Sequence, residues 1–146
     1  MKKHKIGIAD DHVLFAEGIS NILMSNNQLE LVFVENSIPA LKARLTNALV
    51  DLLILDINIP PNNGIDEISF FKKTYPQMKI LILSMYKPED LSLDLNTFLG
   101  DGYILKTSGK QVLENAVTAI LNEEKYYDVN VKWTEKLEDS FTKMTV

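Results

Sequence analysis

Short apolar runs alternate with longer amphipathic stretches along the chain, which is the pattern of βα units around a parallel sheet. Three of these runs are apolar almost throughout, as expected of strands that helices cover on both faces. The fold class predicted from this pattern is α/β, with a doubly wound, five-stranded parallel sheet. The predicted strands are residues 5–9, 29–34, 52–56, 79–84 and 102–106.

Apolar residues three and four positions apart predict helices between the strands. Ser37 is expected to cap the second helix, with Pro39 in its first turn. Pro76 follows the third helix and is expected to end it. The predicted helices cover residues 13–25, a stretch that follows Ser37, residues 65–75 and a stretch that follows Ser108.

Two segments depart from the regular alternation. Within residues 88–99, three leucines alternate as they do in a strand, so a short or irregular helix is expected there. From Glu123 onward, the periodicity fades into a charged tail with scattered aromatic residues. We therefore expect one compact domain over residues 1–127 and a linker or tail over residues 128–146.

The composition narrows the chemistry that the chain can carry. It has 146 residues and no cysteine, which excludes disulfides, thiolate metal sites and cysteine nucleophiles. Its net charge of −5 shows no basic footprint of a DNA-binding surface. No apolar run reaches the roughly 18 residues of a membrane span, and Asp10 and Asp11 come too early for a secretory signal. A cytoplasmic location without membrane contact is expected.

Polar residues stand where the predicted strands end, and ligands bind at that edge of a parallel α/β sheet. Asp10 and Asp11 follow the first strand, Asp56 ends the third, and Ser84 and Lys106 end the fourth and fifth. Clustered carboxylates repel one another, and such hard oxygen ligands favour Mg²⁺. An ammonium and a hydroxyl group opposite them could hold the oxygens of a phosphoryl group. The set predicts a phosphoryl-transfer site.

Asp56 is the best candidate for the nucleophile of that site, because it ends a central apolar strand before a loop that can fold round a ligand. Asn58 lies where its backbone carbonyl could complete a metal shell, and Gly64 permits a tight turn into the third helix. His4 and His12 are too few for a histidine metal site and are expected to be exposed, with His12 at the border of the acidic pocket. Each residue alone also suits a solvated loop end or a helix cap, but the coincidence at one edge favours the site.

Four motifs in this order, IADDH, LLILDINIPPNNGID, LILSMY and GYILKTS, resemble the receiver domains of two-component response regulators. The resemblance covers residues 5–127 and implies the flavodoxin-like (βα)5 receiver fold. It implies that a sensor histidine kinase phosphorylates Asp56, that Ser84 and Lys106 contact the phosphoryl group, and that Tyr103 turns inward on activation. The Mg²⁺ ligands that it implies are Asp10, Asp11, Asp56 and the backbone carbonyl of Asn58.

The segments DDHVLFAEGI, LSMY and NEEKYYD are most similar to the NarL/LuxR subfamily, in which a helix-turn-helix domain normally follows. This resemblance implies control of transcription, with DNA contacted only through an output domain that this chain does not contain. It also allows a homodimer. Two departures from the family pattern stand out: Thr107 follows Lys106 where many receivers have proline, and Leu99 and Asp101 stand where small alanines are common.

Other functions remain as alternatives. A Mg²⁺-dependent phosphohydrolase with an aspartate nucleophile expects a second acid two residues after it, where this chain has Asn58. A flavodoxin-like nucleotide binder expects a glycine-rich loop after the first strand, where this chain has DDHVLFAEG. A stand-alone receiver or pseudo-receiver would act by protein binding. As a receiver, the chain is expected to be no enzyme beyond its own phosphorylation and autodephosphorylation.

Overall fold

Six parallel strands form one sheet in the computed structural model, which describes residues 2–61 and 63–128. Their order is β2-β1-β3-β4-β5-β6, so the chain winds outward in both directions from the centre of the sheet. The α/β doubly wound class is confirmed, whereas the predicted number of five strands is wrong by one. The strands are β1 (His4–Ala9), β2 (Leu29–Glu35), β3 (Leu52–Asp56), β4 (Lys79–Ser84), β5 (Gly102–Leu105) and β6 (Tyr126–Tyr127).

In the described part of the chain, four α-helices cover the two faces of the sheet. Ile19 and Val117, from the first and last helices, share one core with Ile54 of β3. Phe71 of the third helix shares the other core with Leu53 of β3, because successive strand residues point to opposite faces. Every residue of β3 is buried, which explains its continuous apolar run. The helices are α1 (Val13–Met24), α2 (Ile38–Leu45), α3 (Gly64–Thr74) and α4 (Lys110–Leu121).

Polar caps define the beginnings of the two middle helices. The hydroxyl of Ser37 accepts a hydrogen bond of 3.2 Å from the backbone N–H of Ala40, so the predicted cap of α2 is confirmed. Asn63 does the same for α3, where its side-chain oxygen accepts from Ile65 N over 2.7 Å. Both caps satisfy backbone donors that have no partner inside the helix. They fix the ends of the loops that follow β2 and β3.

The segment between β4 and β5 contains one turn of 3₁₀ helix, Pro88–Leu91, which ends at Ser92 with φ of 55°. No α-helix follows it before β5. Leu91 and Leu93 pack partly against the core, whereas Leu95 is exposed. Leucines two residues apart cannot line one face of an α-helix, so the expectation of a short or irregular helix is confirmed.

β6 is the strand that the sequence did not predict. It pairs with β5 through Gly102 and Tyr126 and through Tyr103 and Tyr127. A Cβ atom on Gly102 would lie 2.8 Å from the backbone oxygen of Tyr126, so only glycine allows β6 to approach this closely. Two residues are too few to show a period, so β6 could not be predicted from the pattern of apolar positions.

The predicted linker lies outside the described residues except for Asp128, which is buried and accepts from the hydroxyl of Ser108. Asp128 N also donates to the carbonyl of Tyr103 over 3.0 Å, which extends the pairing of β6 by one residue. Within residues 2–61 and 63–128, none of the helices has the length and apolar character needed to cross a membrane.

Candidate functional site

The carboxyl ends of four neighbouring strands bring the predicted site residues to one edge of the sheet. Asp10 follows β1, Asp56 ends β3, Ser84 ends β4, and Lys106 follows β5. Asp10, Asp56 and Ser84 are buried. The backbone N–H of Lys106 donates to Ser84 O over 2.8 Å, which continues the β4–β5 pairing and holds the start of this loop. Buried polar side chains at this edge need partners among themselves or from a ligand.

The ammonium group of Lys106 lies between two carboxylates. Its Nζ is 3.1 Å from Asp56 Oδ2, to which it donates a hydrogen bond, and 3.0 Å from Asp10 Oδ2. The second contact is an ion pair without hydrogen-bond geometry, so the buried Asp10 Oδ2 accepts no hydrogen bond from any described residue. Only 4% of the Lys106 side chain is exposed, so water screens these charges weakly.

Three carboxylates and one imidazole could hold a metal ion together. Asp10, Asp11, Asp56 and His12 each offer a ligand atom, and these atoms lie within 4.8 Å of one another. Asn58 is next to them, and its backbone N–H donates to Asp56 Oδ1 over 3.1 Å. Carboxylate oxygens are the ligands that Mg²⁺ prefers, and the cluster is compatible with Mg²⁺ binding.

Burial raises the pKa of the Asp56 carboxyl above its ordinary value of 3.8. The N–H of Asn58 lowers this pKa, the charge of Asp10 raises it, and Lys106 lowers it by its charge and its hydrogen bond, with a net rise. Lys106 and Asn58 therefore do not fully offset the effects of burial and of the Asp10 charge on Asp56. Further positive charge at this point would favour the ionised form of Asp56.

His12 is closer to the centre of the site than the sequence indicated. Its side chain is 59% exposed, as expected, but Nδ1 is 2.9 Å from Lys106 Nζ. The same atom is 3.4 Å from Asp10 Oδ1 and 3.6 Å from Asp56 Oδ2. The position of His12 in the sequence could have predicted this. It directly follows the two aspartates and stands at the start of α1, where side chains face the strand ends.

Tyr103 is fully buried, and its hydroxyl donates to the backbone carbonyl of Tyr86 over 2.6 Å. Ser84 Oγ accepts from the N–H of the same Tyr86 over 2.9 Å. Burial raises the pKa of Tyr103, and a hydrogen bond with Ser84 partly offsets this. Tyr103 and Ser84 therefore share their surroundings, and the aromatic ring lies in the inward position.

Gly64 lies against the backbone of the candidate nucleophile. A Cβ atom at this position would be 2.8 Å from the backbone oxygen of Asp56, so a larger residue would displace either the end of β3 or the start of α3. The N–H of Gly64 also donates to Ile57 O over 2.7 Å. Gly64 thus closes the loop after Asp56 tightly, as the sequence predicted.

Comparison with known proteins assigns the family. The model of the response regulator receiver domain matches residues 6–137, which is most of the chain. The chain belongs to the response regulator receiver family. Residues 1–5 and 138–146 lie outside the match.

The receiver is similar to the oxygen regulatory protein NreC of two staphylococci. It is 33% identical to the protein of Staphylococcus epidermidis over 138 residues, which are 94% of this chain and 62% of that protein. It is 32% identical to the protein of Staphylococcus carnosus over 142 residues, which are 97% of this chain and 64% of that protein. The chain thus spans less than two thirds of the length of these relatives.

Solved structures of RcsB share the fold of this receiver. The isolated REC domain of RcsB from Salmonella enterica serovar Typhimurium, in the presence of phosphomimetic BeF3⁻, has a TM-score of 0.81 and 26% identity, over 89% of this chain and 96% of that chain. RcsB bound to promoter P1flhDC has a TM-score of 0.80 and the same identity, over 89% of this chain and 65% of that chain. Together, NreC and RcsB identify a receiver of the NarL/LuxR type.

The two departures from the family pattern have different surroundings in this receiver. The peptide bond from Lys106 to Thr107 is trans, and the one cis bond in the described ranges is Pro60–Pro61. Asp101 is buried at the amino end of β5, away from the site. It accepts from Ile80 N over 2.8 Å, from Lys125 Nζ over 3.1 Å and from Lys72 Nζ. An alanine could not make these contacts.

Proposed function

We propose that this receiver accepts a phosphoryl group on Asp56 from a sensor histidine kinase. The observation that carries the proposal is the position of the Asp56 carboxylate, buried at the end of the central strand with Lys106 Nζ 3.1 Å from its Oδ2. An ammonium group there can neutralise the charge of an incoming phosphoryl group. The exposed side of the site, next to Asp11 and Asn58, leaves room for the donor.

The transfer forms one P–O bond and breaks one bond to the leaving group. An oxygen of the Asp56 carboxylate attacks phosphorus, and the electron pair of the bond to the donor nitrogen leaves with the kinase histidine. Negative charge is then concentrated on the phosphoryl oxygens, where Lys106 and the Ser84 hydroxyl are proposed to contact it. The product is an acyl phosphate. We propose that this reaction and its hydrolysis are the only chemistry of the chain, whose role is regulatory rather than enzymatic.

The residues of the site fit a Mg²⁺ ion. The proposed ligands are the carboxylates of Asp10, Asp11 and Asp56 and the backbone carbonyl of Asn58. The fit rests on three carboxylates that converge within 4.8 Å and on the buried Asp10 Oδ2, which accepts no hydrogen bond within the described part of the chain. When bound, Mg²⁺ would supply positive charge for the carboxylates and the phosphoryl oxygens.

For the output, we propose that the signal controls transcription through a DNA-binding domain in a longer protein. This rests on the relatives: NreC is named an oxygen regulatory protein and exceeds this chain in length, and RcsB structures show two dimers bound to DNA. We propose a receiver over residues 1–127, a linker over residues 128–146, a homodimer and, as is typical of the family, a cytoplasmic location.

We propose that Ser84 and Tyr103 carry the response of the site. A phosphoryl group on Asp56 would draw the Ser84 hydroxyl toward it by a charge-assisted hydrogen bond. Because Ser84 Oγ also accepts from Tyr86 N, whose carbonyl accepts from Tyr103, such a movement changes the hydrogen bonds of all three residues. The surface between β4 and β5 would then present a different partner site.

Mass spectrometry of the intact protein tests the acceptor. After incubation with a small phosphodonor and Mg²⁺, we expect one added phosphoryl group on the wild type and none on Asp56→Asn. Asp51→Asn is the matched control, because Asp51 precedes the same strand at its opposite, exposed end and should leave the adduct unchanged. Undiminished phosphorylation of Asp56→Asn would overturn the assignment.

A further inference from the structure

The imidazole of His12 has no part in the function proposed above, yet it lies among the charged groups of the site. Its Nδ1 is 2.9 Å from Lys106 Nζ. An ammonium group donates hydrogen bonds and accepts none, so Nδ1 is the acceptor of this contact. The geometry thus places the acceptor atom Nδ1 directly against the ammonium of Lys106.

The place of His12 at the start of α1 points to the same contact. His12 occupies the N-cap position, where Ser, Thr, Asp or Asn is preferred because the side chain accepts a hydrogen bond from the first turn. The side chain of His12 makes no capping hydrogen bond. Its backbone N–H donates to Asp10 Oδ1 over 2.8 Å, which holds the residue beside the carboxylates. The ring therefore does not cap α1 and instead contacts Lys106.

Lys106 has charged partners as well, and these are the groups that the proposed reaction engages. Nζ is 3.1 Å from Asp56 Oδ2 and 3.0 Å from Asp10 Oδ2. A cation at these carboxylates competes with the ammonium for their oxygens, and a phosphoryl group bonded to Asp56 occupies one of them. His12 Nδ1 is a further acceptor for the ammonium that is not one of these carboxylate oxygens, although it lies 3.4 Å from Asp10 Oδ1 and 3.6 Å from Asp56 Oδ2. The ring of Phe15, with its centroid 4.5 Å from Nζ, is an additional contact.

We propose that His12 is a positioning residue for Lys106, and that its Nδ1 holds the ammonium toward the exposed side of the site when Asp10 and Asp56 are engaged. The inference rests on the proposed function, in which Lys106 contacts the phosphoryl group. In this role His12 acts through Lys106, and its own distance of 3.6 Å from Asp56 Oδ2 is not used. It fixes the direction from which Lys106 reaches the phosphoryl oxygens.

Two substitutions at His12 separate this role from a general effect on folding. In His12→Asn, the side-chain amide oxygen can take the place of Nδ1, whereas His12→Ala removes the acceptor. We expect His12→Ala to weaken binding of beryllofluoride in the presence of Mg²⁺ about tenfold, the effect of losing one hydrogen bond to a charged group. His12→Asn should stay close to the wild type. His4→Ala, at the exposed beginning of β1, is the matched control and should change nothing.

Two further measurements do not depend on phosphorylation. The NMR signal of the Lys106 ammonium should be protected from exchange in the wild type and in His12→Asn, and should lose this protection in His12→Ala. Mg²⁺ affinity, measured without a phosphoryl mimic, should be nearly equal in all three proteins. Failure of Asn to rescue, equal beryllofluoride binding by His12→Ala, or a parallel loss of Mg²⁺ affinity would each overturn the inference; the last result would make His12 a metal ligand.

The acceptor assignment is tested separately in the same series. If the wild type and Asp56→Asn took up phosphoryl groups equally, the proposed function would fail. If the wild type were phosphorylated on Asp56 while His12→Ala bound beryllofluoride as well as the wild type, only the role of His12 would fail.

Discussion

At the scale of single residues, the fold places more negative than positive charge at the site. Asp10 and Asp56 are buried side by side at the ends of β1 and β3, and one ammonium serves both. Such repulsion lowers the stability of the folded state unless another cation approaches. The fold thus maintains a site that is prepared for a cation and for a charged substrate.

Mg²⁺ should therefore raise the melting temperature of the wild type. Linkage gives about 2.7 kcal/mol of added stability at a hundredfold excess of the ion over its dissociation constant, if the unfolded chain does not bind it. Asp11→Asn should weaken this effect because it removes one proposed ligand, whereas Asp51→Asn should retain it. A melting temperature that does not respond to millimolar Mg²⁺ in the wild type would contradict the metal site.

The sequence was sufficient to predict which residues come together at the site. It was not sufficient to predict all the contacts between their side chains. Strand ends follow from apolar runs, and parallel strands bring their carboxyl ends to one edge, so Asp10, Asp56 and Lys106 could be placed together without coordinates. The contact between His12 and Lys106 joins residues 94 positions apart. It depends on the start of α1 relative to β5, which periodicity does not report.

At the scale of elements, Asp101 and Gly102 attach β6, the last described strand, to the sheet. Asp101 binds Lys72 of α3 and Lys125, which directly precedes β6, while Gly102 leaves room for the backbone of Tyr126. Neither function could be predicted, because β6 is too short to show a pattern and the ion pairs join distant segments. The strands that are buried on both faces were predictable because their apolar runs are continuous.

Asp101→Asn should lower the free energy of unfolding by about 2 kcal/mol. The ammonium groups of Lys72 and Lys125 would lose their buried negatively charged partner, while the new amide oxygen could still accept from Ile80 N. Glu30→Gln, an exposed change of the same charge on β2, is the control and should alter stability by less than about 0.5 kcal/mol. Chemical denaturation measures both. Equal stability of Asp101→Asn and the wild type at neutral pH would contradict the role of this carboxylate.

The free energies of unfolding of the wild type and of Asp101→Asn should become more similar at acidic pH. Burial alone would raise the pKa of Asp101, but the hydrogen bonds from Lys72, Ile80 and Lys125 outweigh it and lower the pKa below 3.8. A lowered pKa adds stability above the pKa of the unfolded chain, and this stability is lost as the pH falls through the folded value. The difference between wild type and Asp101→Asn should be constant above about pH 5 and shrink below about pH 4. A difference that grows on acidification would be inconsistent with a lowered pKa.

Gly102→Ala should detach β6, because its Cβ would lie 2.8 Å from the carbonyl oxygen of Tyr126. Hydrogen exchange should be faster at the amides of Tyr126 and Asp128, which donate to the carbonyls of Asp101 and Tyr103. It should be unchanged at Ile57, which follows β3 and donates to the carbonyl of Leu83. Gly18→Ala is the control, since a Cβ there meets no atom within 4 Å. Unchanged exchange at Tyr126 in Gly102→Ala would show that β6 tolerates the side chain.

At the scale of the whole molecule, aromatic rings connect the site to the last described strand. The centroid of the Phe98 ring lies 6.1 Å from that of Tyr103 and 6.4 Å from that of Tyr127 in β6, and both pairs of rings pack edge to face. Tyr103 contacts Ser84 at the site, and Tyr127 directly precedes Asp128, the last described residue of the chain. A change at Ser84 can therefore reach the segment that follows α4.

Beryllofluoride should change the NMR signals of Ser84 and Tyr103 together, along with those of residues 85–99 and of Tyr127. Because Tyr103 already lies inward in this structure, we expect the mimic to increase the population of this position rather than create it. Phe98→Leu should reduce the response of Tyr127 and leave that of Ser84 intact. If Tyr103 kept one environment while dimerisation still responded to phosphorylation, the signal would leave by another face.

The central claim is that Asp56 carries the phosphoryl group, and chemical trapping of the adduct tests it most directly. Borohydride reduces an acyl phosphate to an alcohol, so the phosphorylated aspartate becomes homoserine and keeps this mark through digestion. Peptide sequencing by mass spectrometry should find homoserine at position 56 after incubation with a phosphodonor and Mg²⁺, and aspartate at positions 10, 11 and 51. Homoserine at another aspartate, with position 56 unmodified, would contradict the account.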